Sequence, residues 1–99
     1  MITHLVFFKM LQEAENASAE ENRENLIALL NQLPSKIPEL VELEVGTDFS
    51  RSPASFDIGL ITRFRTREDL ETYRVHPEHL KVVEVIKKIT SERAVVDFE

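Results

Sequence analysis

No cysteine occurs in the 99 residues, so disulfides, thiolate catalysis and cysteine-ligated zinc are ruled out. No apolar run reaches the roughly 18 residues a helix needs to cross a bilayer. No basic stretch interrupts a chain with 18 acids against 12 bases, and its net charge of −6 would repel a phosphate backbone. Neither nucleic acid nor a membrane is therefore an expected partner. The opening MITHLVFFKML is apolar, but it has neither the basic leader nor the small-residue cleavage site of a signal peptide. A cytoplasmic protein is the expectation. Repeats and low-complexity segments are also missing.

The rest of the composition is that of a globular protein. Apolar residues at 42% are enough for a core, and charged residues at 30% are too few for a disordered chain. Residues 1–99 make one domain, and a domain of this size buries roughly two-thirds of its surface, which leaves it marginal alone.

Residues 2 to 10, ITHLVFFKM, are β-branched and aromatic and read as a strand. Ile2, His4, Val6 and Phe8 share one face, with Leu5 and Phe7 on the other. Ser18-Ala-Glu-Glu21 has the form of a capping box, and Leu26, Ile27, Leu29, Leu30 and Leu33 follow at helical spacing. A helix is expected over 19 to 33, ended by Pro34. Residues 40 to 48 alternate, with Val41, Leu43 and Val45 opposite Glu42 and Glu44, as a half-buried strand does. Gly46 marks a bulge or a strand exit in this reading, and Glu42 and Glu44 form a solvated or interfacial edge. A loop, DFSRSPAS, leads to a third strand over 56 to 64. Thr66 caps a short helix through Leu70 and Tyr73; Pro77 then opens another that runs to about residue 90. RAVVDF, 93 to 98, is the last strand.

The order β-α-β-β-α-β, its second helix broken at YRVHPEH, is the ferredoxin-like α+β arrangement: an antiparallel sheet with helices on one face. Helices on one face leave the other open. Strands one and three carry large apolar side chains on both faces, unlike a sheet that meets water. A second copy of the chain is the economical cover, burying on the order of 1,500 Å² or more. The expectation is a homodimer, with a small ligand held between the sheets or between sheet and helix.

The segments ITHLVFFK, EVG at 44 to 46, FDIGLITRF, HPEH at 76 to 79 and the closing VVDFE together resemble the stress-responsive α/β-barrel (Dabb) family over essentially the whole chain. The resemblance implies a dimeric α+β barrel. Most members are of undefined role, and one plant branch contains a polyketide cyclase working by aldol-type condensation. Its acid–base pair corresponds to Tyr73 and His79 here. His4 and His76 match further histidines of that branch, while Ile58 stands where its third-strand pocket histidine would be.

Residue chemistry permits this role and a plainer one. His79 titrates near neutrality and suits a general base; Tyr73 suits a hydrogen-bond donor to a ketone or enolate oxygen. Six residues apart on one helix they would point about 120° away from each other, but the Pro77 break lets them converge. Structurally, His76 fits a helix cap, Tyr73 a core residue with its hydroxyl at the rim, and His4 a satisfied core histidine. Capping does not require His79. His76, His79 and His4 could also be weighed as a metal set, but no carboxylate clusters with them in sequence. No cofactor or metal is expected. Two functions stay open: a non-enzymatic homodimer binding a small apolar or keto-type ligand, or a cofactor-independent cyclase-like enzyme using His79 and Tyr73. A cofactor-free monooxygenase is a more distant third.

Overall fold

A computed structural model describes residues 1–99. Strand β1 (Ile2–Met10) is followed by a small hairpin, β2 (Glu13–Ala14) and β3 (Ala17–Ser18), then helix α1 (Ala19–Asn31). Strands β4 (Glu42–Thr47) and β5 (Ile58–Phe64) lead to helices α2 (Arg67–Val75) and α3 (Pro77–Ile89) and strand β6 (Thr90–Phe98). The four long strands form one antiparallel sheet in the order β4-β5-β1-β6, the ferredoxin-like topology, with the helices on one face. No helix is long and apolar enough to cross a membrane.

Strand alternation sorts the sheet into two faces. Ile2, His4, Val6, Phe8, Ile58, Leu60, Thr62 and Phe64 are buried toward the helices. There they meet Leu26 and Leu30 of α1, Leu70 and Tyr73 of α2, and Val82, Ile86 and Ile89 of α3. The opposite face carries Leu5, Phe7, Ile61, Ala94, Val96 and Phe98, brought together by the registers Leu5↔Ile61, Leu5↔Val96 and Phe7↔Ala94. No element of the chain lies over them. Val96 and Phe98 are about half exposed, at 53% and 50%.

Two departures from the expected elements, the hairpin and the end of α1, have a local cause. The hairpin at 13–18 turns on Glu15 and Asn16, both in the left-handed region at φ 52° and 58°. Such a turn usually advertises itself with glycine, and Glu-Asn does not. Asn22 holds the hairpin against α1 by donating to the Ala14 carbonyl at 3.0 Å. Helix α1 stops at Asn31 and Leu33–Ser35 form a 3₁₀ turn, because Pro34 has no N–H to donate back to the Leu30 carbonyl. Strand β6 starts at Thr90, directly on the end of α3, rather than at 93. Gly46 is no bulge: it pairs with Gly59 in an unbroken ladder, and β4 ends one residue later at Thr47.

Candidate functional site

The corner between α2 and α3 sets the candidate site. Thr66 caps α2 by accepting from the Asp69 N–H at 3.0 Å. His76 ends α2 and begins α3: its Nδ1 accepts from the Glu78 N–H at 3.1 Å, and Pro77 occupies the first turn, where no N–H is needed. His76 has an extended backbone, φ −63° and ψ 134°, so the chain changes direction there. That break brings Tyr73 and His79 together, their ring centroids 4.1 Å apart at 34°.

Tyr73 is almost wholly buried, with Phe64 5.0 Å from its ring centroid and His4 6.4 Å away edge-on. Its hydroxyl makes no hydrogen bond to the protein, yet no fully buried polar atom lacks a partner, so the hydroxyl keeps a small opening to the outside. Burial pushes the phenol well above its ordinary pKa and keeps it a donor at neutral pH.

His79 is half-buried. Its Nδ1 lies 3.1 Å from the Arg74 carbonyl and donates to it, leaving the Nε2 lone pair free. Burial lowers its pKa below the ordinary value; the bond to the Arg74 carbonyl opposes this, and the charges of His4, Arg74 and Arg93 add to the lowering. The neutral imidazole is thus the resting form at pH 7. A depressed histidine contributes stability that is complete above pH 6.5, its unfolded value, and is lost as pH falls through the folded value. Urea midpoints of the wild type are therefore expected to fall as pH drops below about 6.5. His79→Gln should flatten that part of the profile, and an unchanged profile would mean that His79 is not held neutral.

His4 reaches Asp97 across the β1–β6 pair, its Nδ1 on one carboxylate oxygen, while Arg74 donates to the other at 2.8 Å. Asp97 thereby ties the sheet to the end of α2. The sequence reading did not single out Asp97 or Arg74. The available signal was an acid in the otherwise apolar VVDF, two residues from Val95 and hence on its face. Only the β1–β6 pairing sets it opposite His4.

The structure therefore gathers His4, Tyr73 and His79 at one corner and leaves two other candidates outside it. His76 is occupied as a cap. Ile58 is buried beside Phe8, four residues along β5 from Thr62, the cross-strand partner of His4, or roughly 13 Å at strand rise. No three His, Asp or Glu side chains are arranged to hold a metal ion.

A well-formed cavity lies elsewhere. A trough of about 830 Å³ lies on the open sheet face, lined by Leu5, Phe7 and Ile61 and flanked by Phe49, Ala54 and Phe56 of the 48–57 loop. It and the histidine corner are on opposite sides of the sheet, so one small ligand cannot occupy both.

Sheet topology, the helix-covered core and the apolar open face define a ferredoxin-like α+β protein of the kind that pairs into barrels. Residues 2–99 match the Stress responsive A/B Barrel Domain (Dabb), and the chain belongs to that family. A stress-response A/B barrel domain-containing protein of Arabidopsis thaliana, DABB1, is 27% identical over 101 residues, covering 99% of this chain and 46% of the relative. The chain thus spans about half the length of that curated relative. Among solved structures, a dimeric protein of unknown function with a ferredoxin-like fold from Bacteroides fragilis is 27% identical at a TM-score of 0.78, covering 99% of this chain and 94% of its own. A hydroxynitrile lyase from Passiflora edulis, 20% identical over 98% of this chain and 90% of its own, shares the fold at a TM-score of 0.83.

Proposed function

We propose that the chain acts as a cytoplasmic homodimer, two sheets paired through their open faces, holding a small apolar molecule in the trough. The observation that carries this reading is the apolar centre of the open face, Leu5, Phe7, Ile61, Ala94 and Val96, with its trough of about 830 Å³. That volume lies in the range of small-molecule sites, roughly 300–1,000 Å³. Four strands about 4.8 Å apart present roughly 500 Å² of flat face, which side-chain relief brings toward the 800 Å² per partner of a standard interface. The dimeric Bacteroides neighbour supports the pairing. Polar groups, Glu44, Thr47 and Asp48, run along the β4 edge, which suits a ligand that is apolar apart from one polar side.

A neutral solvatochromic dye, Nile red, tests the trough. Saturable binding with blue-shifted emission is expected, and Phe56→Ser should weaken it by about tenfold, the scale of one lost aromatic contact. Unsaturable binding, or binding indifferent to Phe56, would count against the trough.

The stacking of Tyr73 on His79 favours a second reading: cofactor-independent acid–base chemistry on a keto-type substrate at the corner. His79 Nε2 would take a proton from the carbon beside a carbonyl, and the Tyr73 hydroxyl would donate to the enolate oxygen that forms. The resulting imidazolium, disfavoured by burial and by Arg74 and Arg93, would return the proton readily. Deuterium uptake by an added β-diketone, followed by NMR, reads this step. The expected result is exchange faster than the protein-free rate in the wild type, which His79→Ala returns to that rate with little change in melting temperature. A variant that unfolds instead would assign His79 to structure.

A further inference from the structure

The chain has two glycines, and they are each other's cross-strand partner: Gly46 on β4 and Gly59 on β5. Both lie in strand interiors, where glycine weakens a sheet through its backbone entropy and its missing side chain. Neither has positive φ, so backbone conformation does not call for glycine. Crowding does not call for it either. A Cβ at Gly46 would meet nothing within 4 Å, and one at Gly59 would meet only the Phe7 ring at 3.9 Å, an ordinary contact. Their register with Phe7 sets both on the open face, where they make a bare depression in the trough. A strand glycine with room around it marks a place where another group approaches the backbone closely.

Three residues beyond Gly46, on the loop bordering the same trough, Phe49 is 94% exposed. It is the most exposed of the large apolar side chains and does not fill the depression its own chain leaves. A wet benzyl group and an empty, backbone-floored depression thus share one rim. In a two-fold dimer any contact from residue i to residue j is repeated from j to i, so one such match is made twice.

We propose that Phe49 of the partner subunit lies on the Gly46–Gly59 floor, each copy's loop closing the trough of the other. The inference rests on the dimer reading and deepens it: the ligand chamber takes one wall from each chain and is incomplete in a single copy. The two missing Cβ atoms let an aromatic ring lie flat on the strand backbone, and the ring leaves water in the same step.

The chain has no tryptophan, so Phe49→Trp gives a single indole reporter in the full-length protein. The expected emission is blue-shifted and protected from iodide at micromolar concentration, turning red on dilution in step with dissociation seen by sedimentation. Gly46→Val, which has open space within its own chain, should leave the fold intact by circular dichroism and raise the dimer Kd at least about tenfold, as loss of a buried aromatic contact does. Adding Phe49→Ala to Gly46→Val should recover part of that loss, because the side chain that clashes has been shortened. A water-like indole emission in a proven dimer would overturn the inference and leave the dimer standing, as would an unchanged Kd for Gly46→Val. A wild type that is monomeric at micromolar concentration would overturn the dimer and this contact together.

Discussion

Leu5→Asp is expected to turn the protein into a folded monomer. Leu5 sits mid-strand on β1, flanked on the open face by Ile61 and Val96, and it is not among the 17 buried residues of the core. The single chain therefore tolerates a carboxylate there, in contact with water. Pairing two such faces would bury two unpartnered carboxylates in an apolar interface. Even a conservative 4 kcal/mol for that burial raises the dimer Kd on the order of 10³-fold. Sedimentation would show the change, and circular dichroism would show the strand signal retained. Leu80→Asp is the control: Leu80 is 47% exposed on α3, away from the open face, so its variant should sediment like the wild type. Equal behaviour of the two variants would mean that the open face has no special role.

The second large effect is at Tyr73. Its ring fills the space between Phe64, His79 and His4 and is 1% exposed, so Tyr73→Ala should cost about 3–5 kcal/mol through lost burial and a cavity. Against a total of about 5–15 kcal/mol for a domain, that is close to unfolding. Tyr73→Phe should cost under about 1 kcal/mol, because the hydroxyl has no protein partner to lose. Urea unfolding of the pair separates ring from hydroxyl. If Tyr73→Phe keeps full stability but loses α-carbon exchange, the hydroxyl belongs to the chemistry. A large loss of stability in Tyr73→Phe would contradict the geometry described for it.

Where periodicity and capping speak strongly, sequence and structure agree. The alternation of β1 and β5 set their faces correctly, and Ser18, Thr66 and His76 each cap the helix expected of them. The Pro77 break could be read as a change of direction, but its angle could not, so the convergence of Tyr73 and His79 needed coordinates. His4 could be recognised as a polar residue on a buried face, yet its partner Asp97 lies 93 residues away and is set by sheet order alone. The hairpin at 13–18 was obscured because a Glu-Asn turn carries no glycine, and the Gly46–Gly59 pair because register is invisible in a single strand. The trough combines a strand face with a loop, and loops have no periodicity to reveal what they enclose.

The trough and its closure by a partner loop both depend on the uncovered sheet face being satisfied by a second chain. Analytical ultracentrifugation of the wild type at micromolar concentration tests this directly. The expected result is one species at twice the 11.4 kDa chain mass, dissociating only on strong dilution. A single stable species at 11.4 kDa would contradict it.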